Sequence, residues 1–211
     1  MSVLHPRTDA RARLRRRSLG GTAGNEIVTL TTSAVLVVLL LAEGFTVLNV
    51  RGLLTPHMFI GLVLIPPVLV KLSSTGYRMV RYYAGDSAYR TKGPPALPLR
   101  LLAPVLVAAT LSVFASGVAL LALGHRSDLL LTVHKASFVV WGVMFTVHFV
   151  TYLPRLLRVL PDSWGSARRA EIPGAGLRAM LVASSVGAGV ALALLLLPAI
   201  GSWHGGHRPF G

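Results

Sequence analysis

Residues 129–153 read LLLTVHKASFVVWGVMFTVHFVTYL. These 25 residues hold one lysine, two histidines and no carboxylate. A helix needs about 20 mostly apolar residues to cross the hydrocarbon core of a bilayer, so this stretch reads as a membrane span. Four more stretches of similar character lie at residues 27–48, 56–73, 101–123 and 177–200, the second continuing as helix to Tyr83. The pattern predicts an all-α integral membrane bundle of five transmembrane helices over residues 25–200. It is flanked by a basic segment, 1–24, and a tail, 201–211. No internal repeat is evident. The first span follows arginines, and Ala42-Glu43-Gly44 loosely resembles a cleavage region. Its apolar run is nevertheless longer than the 7–15 residues of a signal core, so it is expected to stay as a helix.

Composition agrees with this reading. Of 211 residues, 53% are hydrophobic and 13% charged, and mean hydropathy is +0.65. A soluble domain carries about 25% charged residues. With no cysteine, the chain has no disulfide, thiolate zinc site, iron–sulfur cluster or covalently attached c-type haem. Yet the net charge is +14. Sixteen of the 21 basic residues fall in three regions that alternate spans place on one side. These are Arg7 to Arg17, Arg78 to Arg100, and Arg155 to Arg178. Arg51, Arg126, Lys135 and Arg208 fall on the other side, and Lys71 lies within a span. The positive-inside rule puts the N-terminus in the cytoplasm and the C-terminus outside. Topology accounts for the charge, and no nucleic-acid partner is expected; the basic N-terminus would meet anionic lipid.

The outer connections, 49–55 and 124–128, are short and force antiparallel neighbours. The cytoplasmic connections are longer: 85–95 is turn-rich with Pro94-Pro95 as an elbow, and Pro161 to Gly176 makes the other. Trp164, Tyr77, Tyr82, Tyr83 and Tyr152 read as an interfacial aromatic belt.

Ionisable residues inside a span are candidates for function. His57 begins the second span, and His134 lies about one turn into the fourth. These spans run in the same direction, so the two imidazoles share a depth in the outer leaflet. His148 follows His134 by 14 residues. At ~100° per residue that is about 40° short of four turns, which puts both on one face, roughly 21 Å apart. The same offset from His57 lands on Lys71. Imidazoles from two parallel helices can hold a haem iron from opposite faces. The expected cofactor is therefore haem b, with His57 and His134 as the outer ligands. A second, inner haem would use His148 and, if deprotonated, Lys71. Pro66-Pro67 should kink the helix between His57 and Lys71. Lys71 has competing readings: snorkelling toward the interface, or binding a haem propionate or a quinone oxygen.

Other residues join the site. Trp141, seven residues from each histidine of the fourth span, would lie between the haems or serve plain bundle packing. Arg155 would pair with inner propionates; Lys135, Arg51 or Arg126 would do so for the outer haem. Gly44, Gly61, Gly117 and Gly142 would admit a flat macrocycle or simply close helix packing. Glu43 would relay protons for quinone chemistry or be hydrogen-bonded structurally, with Arg51 as its partner. His204 and His207 form a weak His-x-x-His metal pattern in the tail. No Ser-His-Asp arrangement, P-loop, dinucleotide fingerprint or paired carboxylates are present.

His134-Lys-Ala-Ser-Phe-Val-Val-Trp-Gly-Val-Met-Phe-Thr-Val-His148, with His57 on an earlier span, resembles multi-pass membrane b-type cytochromes. Those include the cytochrome b subunits of formate dehydrogenases and nickel hydrogenases, and ferric-reductase-like four-helix proteins. The resemblance covers residues 27–153; the stretch 75–83 also looks like small actinobacterial membrane proteins of this type. It implies an electron-transfer oxidoreductase component of the plasma membrane, fed by quinol or a partner subunit and serving an outer acceptor. Lys71 departs from the pattern, standing where a di-haem member would carry a fourth histidine. The competing reading is a membrane scaffold or transport-related protein whose histidines and Lys71 line a polar pathway.

Overall fold

The structure is a computed structural model that describes residues 21–91, 93, 97–123, 127–164 and 172–205, without the side chains of 160–164, 202, 204 and 205. The arginines of the N-terminal segment, Lys92, the Pro94-Pro95 elbow, Arg126, Arg168, Arg169, the Trp164 ring and both tail histidines' side chains lie outside the description.

The described chain is helical: α1 (Gly21–Leu48), α2 (Leu54–Tyr83), α3 (Ser87–Arg90), α4 (Leu97–Leu123), α5 (Asp128–Trp164), α6 (Ala175–Leu195) and α7 (Leu197–Gly205). Five of these, α1, α2, α4, α5 and α6, are long and apolar enough to cross a membrane. A backbone in hydrocarbon must satisfy its own hydrogen bonds, and a helix does so within one segment. The protein is thus a multi-pass membrane helix bundle. Val139, Val143, Val147 and Val150 of α5 and Val38, Leu41 and Phe45 of α1 point outward, an apolar surface suited to lipid.

Short connections build two helical hairpins. Between α1 and α2, the Asn49 carbonyl accepts from the amides of Gly52 and Leu53, and its side-chain oxygen also accepts from Gly52. A Cβ at Gly52 would lie 2.8 Å from the Asn49 amide nitrogen, so a side chain there would displace the Asn49 side chain from its bond to the Gly52 amide. The α4–α5 hairpin is the second pair. The hairpins meet edge to edge, α1 against α5 and α2 against α4, so α2 and α5 face each other diagonally across the bundle. The helix α6 packs outside this ring, chiefly on α2.

Three boundaries differ from the sequence expectation. The helix α5 runs on to Trp164, past residue 153 and through Pro154 and Pro161. Its 37 residues are about 55 Å long, well beyond a hydrocarbon core of ~30 Å, so the basic end projects from the membrane. The fifth stretch, expected unbroken to residue 200, divides at Leu196. Pro198 supplies no amide to the carbonyl of Leu194, and that carbonyl instead accepts from the amide of Leu196, a tighter turn that ends α6. The helix α7 then continues to Gly205, into the expected tail, and seats Ala199 and Ile200 in the core. The indole of Trp203 donates to the Leu121 carbonyl at 3.4 Å. At the other end α1 begins at Gly21, inside the segment expected to precede the bundle.

Pro66 and Pro67 do not interrupt α2, which is helical from Leu54 to Tyr83. They instead shape its partner. Pro67 has no amide for the carbonyl of Val63, four residues earlier. Gly189 of α6 sits against that carbonyl: a Cβ there would collide with Val63 oxygen and lie 2.9 Å from its Cα. Glycine lets the two backbones meet where the ladder is open. Beyond Tyr83, Gly85 takes φ +86 and Asp86 caps α3, accepting from the Ala88 amide at 3.0 Å while it pairs with Arg81.

Gly189→Val is expected to cost about 1–3 kcal/mol through overpacking of α2 on α6. Gly187→Val, with open space around it, should leave the unfolding midpoint of detergent-solubilised protein nearly unchanged.

Candidate functional site

The diagonal pair α2 and α5 carries all four intramembrane candidates. At the end with the short connections, the rings of His57 and His134 approach to 6.3 Å between centroids, at 83° to each other. Each is held by the first helix of its own hairpin. On α1, a Glu43 carboxylate oxygen lies 2.8 Å from His57 Nδ1, and Thr46 Oγ1 lies 3.2 Å from the same nitrogen. On α4, His134 Nδ1 is 3.1 Å from both the Val113 carbonyl and Ser116 Oγ. Since a carbonyl only accepts, His134 carries its proton on Nδ1, and a carboxylate imposes the same choice on His57. In the neutral form, both rings would carry their lone pair on Nε2.

The neighbouring residues are cut to this arrangement. A Cβ at Gly117 would lie 3.2 Å from His134 Cε1, so glycine makes room for the ring. A Cβ at Gly61 would lie 3.7 Å from the Glu43 carboxylate, in ordinary contact. Gly44 and Gly142 face open space. The expected partner of Glu43 was Arg51; its partner in the structure is His57, one turn into the next helix.

An iron bound at ~2 Å by one nitrogen of each imidazole puts the ring centroids roughly 6 Å apart. The separation of His57 and His134 and their shared tautomer fit an axial pair. Both Nδ1 atoms have outer partners, the usual support of metal-bound imidazoles. Among the described residues, no group of three or more His, Asp or Glu gathers as a metal site.

At the basic end the second pair is arranged differently. Lys71 Nζ donates to Ser33 Oγ at 2.5 Å and to the Thr29 carbonyl at 3.2 Å, both on α1. Ser33 Oγ passes its own proton to the same carbonyl at 2.7 Å. Thr29 and Ser74 share a hydrogen bond of 2.9 Å, and Asn25 Nδ2 donates to the Ser74 carbonyl at 3.1 Å. A polar seam thus joins α1 to α2. His148 contacts Tyr152, with ring centroids 4.7 Å apart. Trp141 stacks between Phe138 and Phe145, at 6.0 and 4.7 Å, and Phe149 extends the stack at 5.7 Å. These rings occupy the face of α5 between His134 and His148. Arg155 meets Glu26 of α1 at 2.5 Å, which ties the hairpins together at their basic end.

The seam was not among the sequence candidates, though its signal is present. Asn25, Thr29 and Ser33 recur every fourth residue, one face of an apolar helix. Ser116, which holds His134, carries no comparable signal, whereas Gly117 is among the glycines expected to allow close approach. Comparison with known protein families, with characterised proteins and with solved structures gave no match.

Lys71→Met removes the donor to Ser33 and the Thr29 carbonyl. It is expected to lower stability by about 1–3 kcal/mol, seen as a lower unfolding midpoint in detergent.

Proposed function

We propose that this protein is a membrane b-type cytochrome, an electron-transfer oxidoreductase component whose His57 and His134 hold one haem b between α2 and α5. The observation that carries the reading is the approach of two imidazoles on parallel, diagonal helices, each committed at Nδ1 and each keeping its lone pair on Nε2. A haem b held by the two imidazoles would supply reversible one-electron transfer. The chain's own part is to orient both rings through Glu43 and Thr46 on one side and Val113 and Ser116 on the other. Trp141 and its stacked phenylalanines extend from the His134 level toward His148 and offer a polarisable path to the basic end.

Lys71 gives its hydrogen bonds to α1, and the haem proposed is the one at His57 and His134. In this reading His148 and Lys71 serve the basic end of the path, where quinol or a partner subunit would deliver electrons. The basic end faces the cytoplasm and the short connections face out, as the arginine distribution requires for a plasma-membrane protein. The competing reading, a non-redox scaffold or transport-related protein, draws on the same interhelical bonds, because helix locking alone would also satisfy them.

Protein purified from haem-replete cells is expected to show a Soret band and a reduced α-band of haem b, near one haem per chain. His57→Ala and His134→Ala should each abolish that spectrum, whereas Lys71→Ala should keep the haem count. A colourless wild-type preparation would refute the assignment. Because the chain has no cysteine, orientation can be read from single introduced thiols. In intact cells an impermeant maleimide is expected to label Arg51→Cys and to spare Ser87→Cys; the reverse pattern would invert the topology.

A further inference from the structure

The two imidazoles are supported unequally. His57 Nδ1 meets a carboxylate at 2.8 Å, whereas His134 Nδ1 meets a neutral carbonyl and a neutral hydroxyl, each at 3.1 Å. The His57–Glu43 pair is largely shielded, with side-chain exposures of 21% and 15%. Thr46 is buried beside it, donating to the Glu43 carbonyl at 2.6 Å and reaching both the carboxylate and the ring. Hydrogen bonds to a charged acceptor are roughly twice as strong as neutral ones. An imidazole that donates to a carboxylate gains electron density at its other nitrogen and becomes the more basic ligand. A more basic axial ligand and a nearby negative charge both favour the higher oxidation state of iron.

We infer that Glu43 is a positioning residue that makes His57 the stronger axial donor and His134 the weaker, and so holds the haem at a lower potential than two neutrally supported imidazoles would. The inference rests on the haem proposed for His57 and His134. Glu43 acts through His57 and touches neither iron nor macrocycle in this scheme. Its role differs from helix locking, since a lock requires only a hydrogen-bond acceptor, whereas the shift in potential requires the negative charge.

The test is the midpoint potential of the purified full-length protein, read by spectroelectrochemistry at one fixed pH. Glu43→Gln keeps the side-chain shape and an acceptor oxygen but removes the charge. It is expected to retain haem and a low-spin spectrum, and to weaken the preference for ferric over ferrous haem tenfold or more. For one electron, tenfold is an upward shift of about 59 mV. Ser116→Ala, which leaves the Val113 carbonyl in place, should shift the potential by less than half as much. A Glu43→Gln potential equal to that of the wild type overturns the inference, as does an equal or larger shift in Ser116→Ala. If Glu43→Gln purifies without haem, Glu43→Asp carries the test: recovered haem supports the positioning role, and continued loss overturns it. A haem-free wild type would refute the proposed function itself, and that result is visible before any variant is made.

Discussion

A polar side chain in hydrocarbon must find a partner inside the protein, and this constraint organises the bundle. The helices satisfy their own backbones, so the groups free to choose a partner are the few side chains that interrupt the apolar stretches. Three of them lie on the second helix of a hairpin and reach back to the first. His57 finds Glu43, His134 finds the Val113 carbonyl, and Lys71 finds Ser33 and the Thr29 carbonyl. Each bond sets the rotation of one helix against its neighbour. With α2 turned by α1 and α5 turned by α4, the histidine faces of α2 and α5 meet across the bundle.

Backbone chemistry contributes a second layer. Successive prolines in α2 leave carbonyls without their usual amide, yet the helix persists because its neighbours close around it. Gly189 brings α6 against the Val63 carbonyl at that level. The effect is to brace α2 from outside the four-helix ring. Bracing matters because α2 carries the ring of His57 at one end and the polar seam of Lys71 and Ser74 at the other. The division at Leu196 has a related origin: Pro198 ends α6 and sends α7 back over α2 and α4.

Much of this was legible in the residues. Apolar length fixed the five spans, because hydrocarbon thickness is a nearly invariant ruler. Helical periodicity put His134 and His148 on one face and placed His57 at the depth of His134. Periodicity along one helix does not say which neighbour a long side chain will reach. Lys71 shares the depth of His148, and depth alone pairs them; the structure sends its ammonium to α1, where serine and threonine offer two acceptors. Glu43 was assigned to Arg51 on charge and sequence proximity. It reaches His57 instead, because the turn at Asn49 brings the start of α2 beside the end of α1. Arg155 likewise meets Glu26, a partner 129 residues away that no local pattern could disclose. Helix ends were the weakest part of the reading, as α5 shows by continuing through Pro154 and Pro161.

Taken together, the two levels of the bundle divide the labour between their basic side chains. At the short-connection end, both imidazoles are committed on Nδ1 to the first helix of their own hairpin. At the basic end, Lys71 is committed as a donor to Ser33 and to the Thr29 carbonyl, both on α1. With the Thr29–Ser74 and Asn25–Ser74 bonds this seam locks α1 to α2. Both levels follow from one constraint: a polar side chain that cannot reach water takes its partner from the neighbouring helix, and that choice fixes how the two helices are turned.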